Sequence, residues 1–342
     1  MTEGNLYEKT FKAPSYTPPQ TYRNLIFLYL ESVEDTFQSE EVFGKNLIPY
    51  LSSIKTFSGY TEIQGSNDTY SSMISSFCGL PNVLPFLRND VTFYFPRNVC
   101  LTDILAGNGY KTLFFTSDNK SFASKDVFWE KHHVQTVEDG ASMAETKEDL
   151  GFHWYGGVKD SITFKKALET IKLIGEVNEP FAIFISTLNT HDPTGFLEPD
   201  CDSNSDDEFK DIISCTDKQV RDFITELEKT PFFKDTLIVV AGDHLARKNT
   251  LYSLLEKQKD RFIFNAFINT DRPFPSLNRT FTALDLGATV LELLGFELKD
   301  GALGLGRSLL RSDPTLIEEY GKENLEGELL KKSEKYNDFL KK

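Results

Sequence analysis

No stretch of this 342-residue sequence is both long and apolar enough to span a bilayer. The residues after Met1, Thr2-Glu3-Gly4-Asn5, lack the basic-then-apolar order of a secretory leader. These absences predict a soluble product, or the soluble part of a membrane-anchored protein, because the opening stretch with Pro14, Pro18 and Pro19 reads as an extended lead-in. Positive charge is also scarce. Lys and Arg number 37 against 52 Asp and Glu, a formal charge of -15, and a chain that binds a polyanion needs clustered cations, so nucleic acid is excluded as a partner. Phosphate chemistry, if present, must rest on local charge. There is no internal repeat, heptad array or glycine-rich phosphate loop. Cysteine is limited to four residues with no Cys-x-x-Cys or Cys-x-x-His spacing, which argues against a zinc site built on them. They fall as two local pairs, Cys78 with Cys100 and Cys201 with Cys215. Two disulfides of an extracytoplasmic domain and four reduced thiols of a cytoplasmic enzyme both fit that arrangement.

What the sequence does contain is a large apolar inventory, 39% of residues including 29 Phe, enough for one large packed body. Leu25 to Leu30 is an unbroken apolar run of strand length that stops at Glu31-Ser32. Tyr110 to Phe115 stops at Thr116-Ser117-Asp118, Phe181 to Leu188 at Asn189-Thr190-His191-Asp192, and Thr236 to Val240 just before Gly242-Asp243-His244. A further strand is expected over 262–268. Helical spacing over 161–174, 217–229 and 282–294 supplies crossovers, so the alternation predicts an α/β fold with a mostly parallel sheet. In such a sheet the residues that follow the strands gather at one edge. From Glu318 onward the chain is charge-rich with sparse leucines, which predicts a solvated or frayed helix.

Several residues at these strand ends could carry chemistry. Glu31 could hold a divalent cation, and Asp243-His244 offers an oxygen and a nitrogen ligand side by side. Glu34 and Asp35 read as a solvated helix start. The polar turn Gln64 to Thr69 leads into a helix, and a helix start directs backbone N–H groups toward an anion. Thr69 there is either a structural cap or a nucleophile, which a metal would activate. His191 could transfer a proton to a leaving oxygen, and Lys125 could meet a phosphate. His132, His133 and His153 read as surface or outer residues.

Taken in order, these segments resemble the sulfatase/alkaline phosphatase superfamily, and within it the phosphoglycerol transferases that modify periplasmic glucans. The resemblance is carried by Asn24 to Glu34 (NLIFLYLESVE), Gly65 to Thr69, Ser76 to Pro81 (SFCGLP), Phe95 to Leu105, Lys125 to Phe128, Thr190 to Pro193, Phe233 to Thr236, Gly242 to Ala246 and Gly304 to Leu309. It implies a three-layer sandwich around a mostly parallel sheet, with a lead-in over 1–22, a catalytic domain over 23–312 and a charged helical tail over 313–342. It implies that Glu31, Thr69, Asp243 and His244 bind one divalent cation, Mn2+ by preference, with Zn2+ or Mg2+ as alternatives. Thr69 is then the nucleophile, His191 contacts the transferred group or leaving oxygen, and Lys125 lies near the substrate phosphate. Asp68 and Asn67, just before Thr69, are read as substrate-binding with it, although Asp68 departs from the bulky or basic residue that related enzymes often place there. The paired cysteines resemble those of the glucan-modifying branch, which implies disulfides and a periplasmic setting. Phosphatidylglycerol or a related phospholipid is the implied donor, reached at a membrane surface, and a glucan or other polysaccharide the acceptor. A phosphoethanolamine transferase or phosphodiesterase on the same fold is the alternative, and a non-catalytic polysaccharide-binding protein a further one. A classical sulfatase is disfavoured, because Asp68-Thr69-Tyr70-Ser71-Ser72 lacks the Cys/Ser-x-Pro-x-Arg pattern that formylglycine formation requires.

Overall fold

In the computed structural model, residues 5–83, 95–150, 156–177 and 179–341 are described. Six strands form the central sheet: β1 (Asn24–Leu30), β2 (Lys111–Thr116), β3 (Thr136–Glu138), β4 (Phe181–Ser186), β5 (Thr236–Gly242) and β6 (Asn265–Ile268). Their order is β3-β2-β4-β1-β5-β6, and every pairing is parallel except β5 with β6. Alternate side chains of a strand point to opposite faces. On β1, Leu25, Phe27 and Tyr29 therefore enter one hydrophobic cluster, while Ile26, Leu28 and Leu30 enter another. Burial on both faces is why the run carries no alternation of polar and apolar residues.

Helices cover both faces. The first cluster takes in apolar residues of α2 (Thr69–Cys78), α3 (Leu101–Gly107), α4 (Lys125–Lys131) and α7 (Leu286–Leu293), and the second those of α5 (Asp160–Gly175) and α6 (Glu208–Glu228). The result is the expected three-layer α/β arrangement. A disulfide joins Cys78, the last residue of α2, to Cys100, immediately before α3, and a second joins Cys201 to Cys215 within α6. The disulfide reading of the four cysteines is therefore the one realised. No helix among the described residues is long and apolar enough to cross a membrane.

Both ends of the chain differ from expectation. The lead-in contains α1 (Leu6–Thr10), capped by the Asn5 side chain, and buries Leu6 and Tyr7. Tyr16–Thr17 then pairs antiparallel with Glu297–Leu298. The tail forms α8 (Lys322–Leu329) and α9 (Glu334–Phe339), whose Leu325, Leu329, Tyr336 and Phe339 lie in the first cluster. These few apolar residues make one narrow stripe, and charged neighbours occupy the remaining surface, so the tail is packed where a solvated helix was expected. The Tyr7 and Tyr336 rings pack with centroids 5.0 Å apart and planes tilted by 55°, the Tyr7 hydroxyl donates to the Leu329 carbonyl at 2.8 Å, and the Tyr336 hydroxyl donates to the Pro81 carbonyl at 2.7 Å.

Candidate active site

The carboxyl ends of β1, β2, β4 and β5 share one edge, and the backbone continues the register for a residue beyond each strand. Asp243 N–H reaches the Leu30 carbonyl at 3.2 Å, Thr187 N–H the Tyr29 carbonyl at 3.0 Å, and Ser117 N–H the Ser186 carbonyl at 3.1 Å. Gly242 makes the close approach of the β1 and β5 ends possible, since a Cβ there would lie 2.0 Å from the Val33 carbonyl oxygen. Ser32 turns the chain after β1 with φ +57°, a left-handed conformation that side-chain-bearing residues seldom adopt.

That turn brings Glu31 to Asp243 and His244. Candidate ligand atoms of the three lie within 4.8 Å of one another, and all three residues are buried. Ser32 N–H and His244 N–H both donate to Asp243 Oδ1, at 2.7 and 2.8 Å, and the Ser32 hydroxyl donates to Glu31 Oε1 at 2.7 Å. Thr187 Oγ1 accepts from Glu31 N–H at 2.9 Å, and the Thr190 hydroxyl donates to the Glu31 carbonyl. Thr69 is the first residue of α2, and its hydroxyl donates to Glu31 Oε2 at 3.0 Å. The cap of that helix is Asp68, whose carboxylate accepts from Ser71 N–H at 2.9 Å and from the Ser71 hydroxyl at 2.7 Å. Thr69 is thus free of capping duty and faces the carboxylate cluster.

The electrostatics of this cluster are those of an incomplete set. Burial opposes charge on Glu31, but the positive charges of His244 and His191 outweigh it and hold the carboxyl at about 2. Burial, followed by the nearby Glu31 charge, pushes Asp243 up to about 6. His244 would be lowered by burial, yet Asp243 and Glu31 raise it to about 9. Two carboxylates and one imidazole are therefore packed together, with His244 Nε2 3.4 Å from Glu31 and 3.6 Å from Asp243. Asp243 Oδ2 is buried with no hydrogen-bond partner among the described residues, and a buried polar atom left so is costly. The His244 Nδ1 donates to the Leu245 carbonyl at 2.9 Å, which leaves Nε2 facing the carboxylates, where it could serve as a ligand. Oxygen and nitrogen donors in this arrangement fit one divalent cation.

Beside the cluster lies a cavity of about 180 Å³, lined by Glu31, Asp68, Thr69, Lys125, His191 and Arg247 among others. Lys125 is buried and ion-paired with Asp118, the residue that follows Ser117 at the end of β2. The His191 Nδ1 meets the Asp192 carbonyl at 2.6 Å. Asn67 takes part through its backbone, its carbonyl accepting from Arg247 Nη1 at 2.8 Å. Sequence reasoning missed Ser32, Thr187, Thr190, Asp118 and Arg247. The first four sit at the strand ends already identified, whereas nothing in Ala246-Arg247-Lys248-Asn249 distinguishes the arginine from a surface cation.

Other expectations change. Glu34 and Asp35 are buried and ion-paired, with Arg261 and Lys55 respectively, where a solvated helix start was expected. His132 is buried with Nδ1 2.8 Å from Asp103, while the exposed His133 meets the same carboxylate at 2.7 Å. His153 lies outside the described residues.

The sequence profile of the Sulfatase family matches residues 23–296. Phosphoglycerol transferase I of Escherichia coli O127:H6 (strain E2348/69 / EPEC) is 34% identical over 315 residues, an alignment that covers 88% of this chain and 40% of that protein. The chain thus spans about two-fifths of the length of the curated relatives it matches. Among solved structures, an alkaline phosphatase superfamily protein from Vibrio parahaemolyticus superposes with a TM-score of 0.71 at 19% identity, covering 93% of this chain and 77% of that one. The lipoteichoic acid synthase LtaP from Listeria monocytogenes superposes with a TM-score of 0.68, also at 19% identity, covering 84% and 75%.

Proposed function

The chain belongs to the sulfatase family, and on that premise we propose that it is a phosphotransferase that moves a phosphoglycerol group from phosphatidylglycerol to a sugar hydroxyl of a glucan or related polysaccharide, with Thr69 as the nucleophile. The observation that carries this reading is the position of Thr69, at the start of a helix with its hydroxyl on Glu31 of a buried carboxylate-imidazole cluster. The 34% identity to a phosphoglycerol transferase supports the choice of transferred group.

Glu31, Asp243, His244 and Thr69 would hold one divalent cation, manganese by preference, and its Lewis acidity would favour the Thr69 alkoxide at neutral pH. Thr69 Oγ1 then attacks phosphorus and loses its proton to solvent. The phosphorus–oxygen bond to diacylglycerol breaks, His191 Nε2 gives its proton to the departing oxygen, and phosphoglycerol is left esterified to Thr69. In the second displacement His191 takes the proton of the sugar hydroxyl as that oxygen attacks phosphorus, and Thr69 Oγ1 leaves and is reprotonated. The backbone N–H groups at the start of α2 favour the added negative charge in both transition states. Lys125, fixed by Asp118, lines the same cavity as the donor head group's binding place. The lipid places the work at a membrane surface, and the two disulfides suit an extracytoplasmic, periplasmic compartment.

Intact mass of the protein after incubation with manganese and phosphatidylglycerol tests this. A phosphoglycerol adduct on the wild type and none on Thr69→Ala is the expected result. An adduct that forms only with phosphatidylethanolamine transfers the same scheme to a different head group, and an adduct on Thr69→Ala overturns the nucleophile.

A further inference from the structure

Arg247 belongs to no motif that carries the family resemblance, yet it lines the cavity beside Thr69. Three nitrogen-bearing side chains, Lys125, His191 and Arg247, line that cavity, and their commitments differ. Lys125 is already ion-paired with Asp118, and the His191 ring is turned to Asp192, with the carbonyl at 2.6 Å and the carboxylate at 3.6 Å. Arg247 has no carboxylate partner among the described residues. Its hydrogen bond runs from Nη1 to the Asn67 carbonyl at 2.8 Å, which ties it to the backbone two residues before Thr69. The other edge of the guanidinium fork, Nε and Nη2, is left for a guest. Lys248, next in the chain, has φ +53°, so the backbone is held in an uncommon conformation where Arg247 leaves the metal-ligand loop.

The charge inventory says what the guest is. Glu31, Asp68, Asp118 and Asp192 bring carboxylates to the cavity of a chain with a net charge of -15. An anion entering it must be met by a cation not already neutralised, and a guanidinium offers two parallel N–H donors that match two oxygens of a phosphoryl group. We propose that Arg247 binds the non-bridging oxygens of the phosphoryl group as it passes through Thr69, and so acts as a catalytic residue of both displacements. The proposal rests on the reading of Thr69 as the phosphoryl acceptor, and it is independent of which head group the donor carries.

Arg247→Gln keeps an N–H donor for the Asn67 carbonyl and removes the charge, and Arg247→Lys keeps the charge without the fork. Each is compared with wild type, manganese-loaded, by calorimetric titration with inorganic phosphate and by the rate of adduct formation from phosphatidylglycerol. Arg247→Gln is expected to weaken phosphate binding by about tenfold and to slow adduct formation by about 10²- to 10³-fold. Arg247→Lys should fall between, added guanidinium should restore part of the Gln variant's rate, and metal content should not change. Unaltered phosphate binding in Arg247→Gln, an unaltered rate, or a wild type that binds no phosphate overturns the assignment. If wild type binds phosphate, Arg247→Gln does not, and no lipid adduct forms on either, the donor reading falls while the role of Arg247 stands.

Discussion

Glu31 and Glu34 leave the same strand three residues apart, and both carboxylates are buried, yet the protein answers them in opposite ways. Glu34 receives the guanidinium of Arg261 through Nε at 3.0 Å and through Nη2, and Ala246 N–H at 3.0 Å completes its shell. Its charge is fully matched inside the fold. Among the described residues the Glu31 carboxylate receives hydroxyls and an imidazole 3.4 Å away, and it shares that imidazole with Asp243, whose Oδ2 has no donor there. A buried charge that brings its own cation braces the structure, while a pair of buried carboxylates short of positive charge is held ready for a guest. Proximity in sequence and equal burial do not separate the two cases. The partner does.

The sharpest way to break this contrast is to remove the proposed nucleophile, whose hydroxyl rests on Glu31. Thr69→Ala should lower turnover on the order of 10⁴-fold or more while the melting temperature stays within a degree or two, and a variant that keeps a measurable fraction of wild-type rate would end the comparison at once. His244→Ala should lose stoichiometric metal by elemental analysis, with an affinity drop beyond the roughly 10- to 100-fold seen when only outer partners of a ligand are altered. Chelation should lower the melting temperature of wild type and leave that of His244→Ala almost unmoved.

On the Glu34 side the effect belongs to stability. Arg261→Met should cost about 3–5 kcal/mol in urea denaturation, because it strands a buried carboxylate, and Glu34→Leu combined with Arg261→Met should recover most of that loss. Metal content should be unchanged in both. A cost below about 1 kcal/mol would mean that the pair is no brace. The smallest effect concerns a third buried carboxylate, Asp160, which accepts from Leu188 N–H at 2.7 Å and Asn189 N–H at 2.9 Å and has no cationic partner among the described residues. Burial, then the charge of Glu198, raises it from 3.8 to about 7. A folded-state value above the unfolded one means stability is fully present below the unfolded value and is lost as pH rises through the folded one. Between pH 6 and 8 the loss should be on the order of 1 kcal/mol. Denaturant midpoints across that range should slope less in Asp160→Asn than in wild type, and parallel slopes would refute the shift.

Much of this architecture was legible in the sequence because burial on both sheet faces leaves its mark on every residue of a strand. Leu25 to Leu30 and Thr236 to Val240 read as strands for that reason, and their polar endings located the edge where Glu31, Thr69, Asp243 and His244 meet. Where one apolar residue in several suffices for packing, the mark fades. Leu325, Leu329, Tyr336 and Phe339 looked like a solvated tail because their burial depends on α1, which lies more than three hundred residues earlier. Glu34 looked solvated because Arg261 lies far along the chain. Arg247 was illegible for the opposite reason: a cation in a polar stretch is ordinarily at the surface, and only the cavity shows that its guanidinium faces inward with Thr69.

The clasp between the two ends has a consequence for how the molecule opens. Asn5 Nδ2 donates to the Lys332 carbonyl at 2.7 Å, Tyr7 and Ser333 add two more bonds between the segments, and Tyr336 reaches on to Pro81 beyond α2. Neither segment can open without withdrawing support from the other. Amide exchange in α1, α8 and α9 is therefore expected to rise and fall as one cooperative unit, although the segments that form it lie more than three hundred residues apart in the sequence.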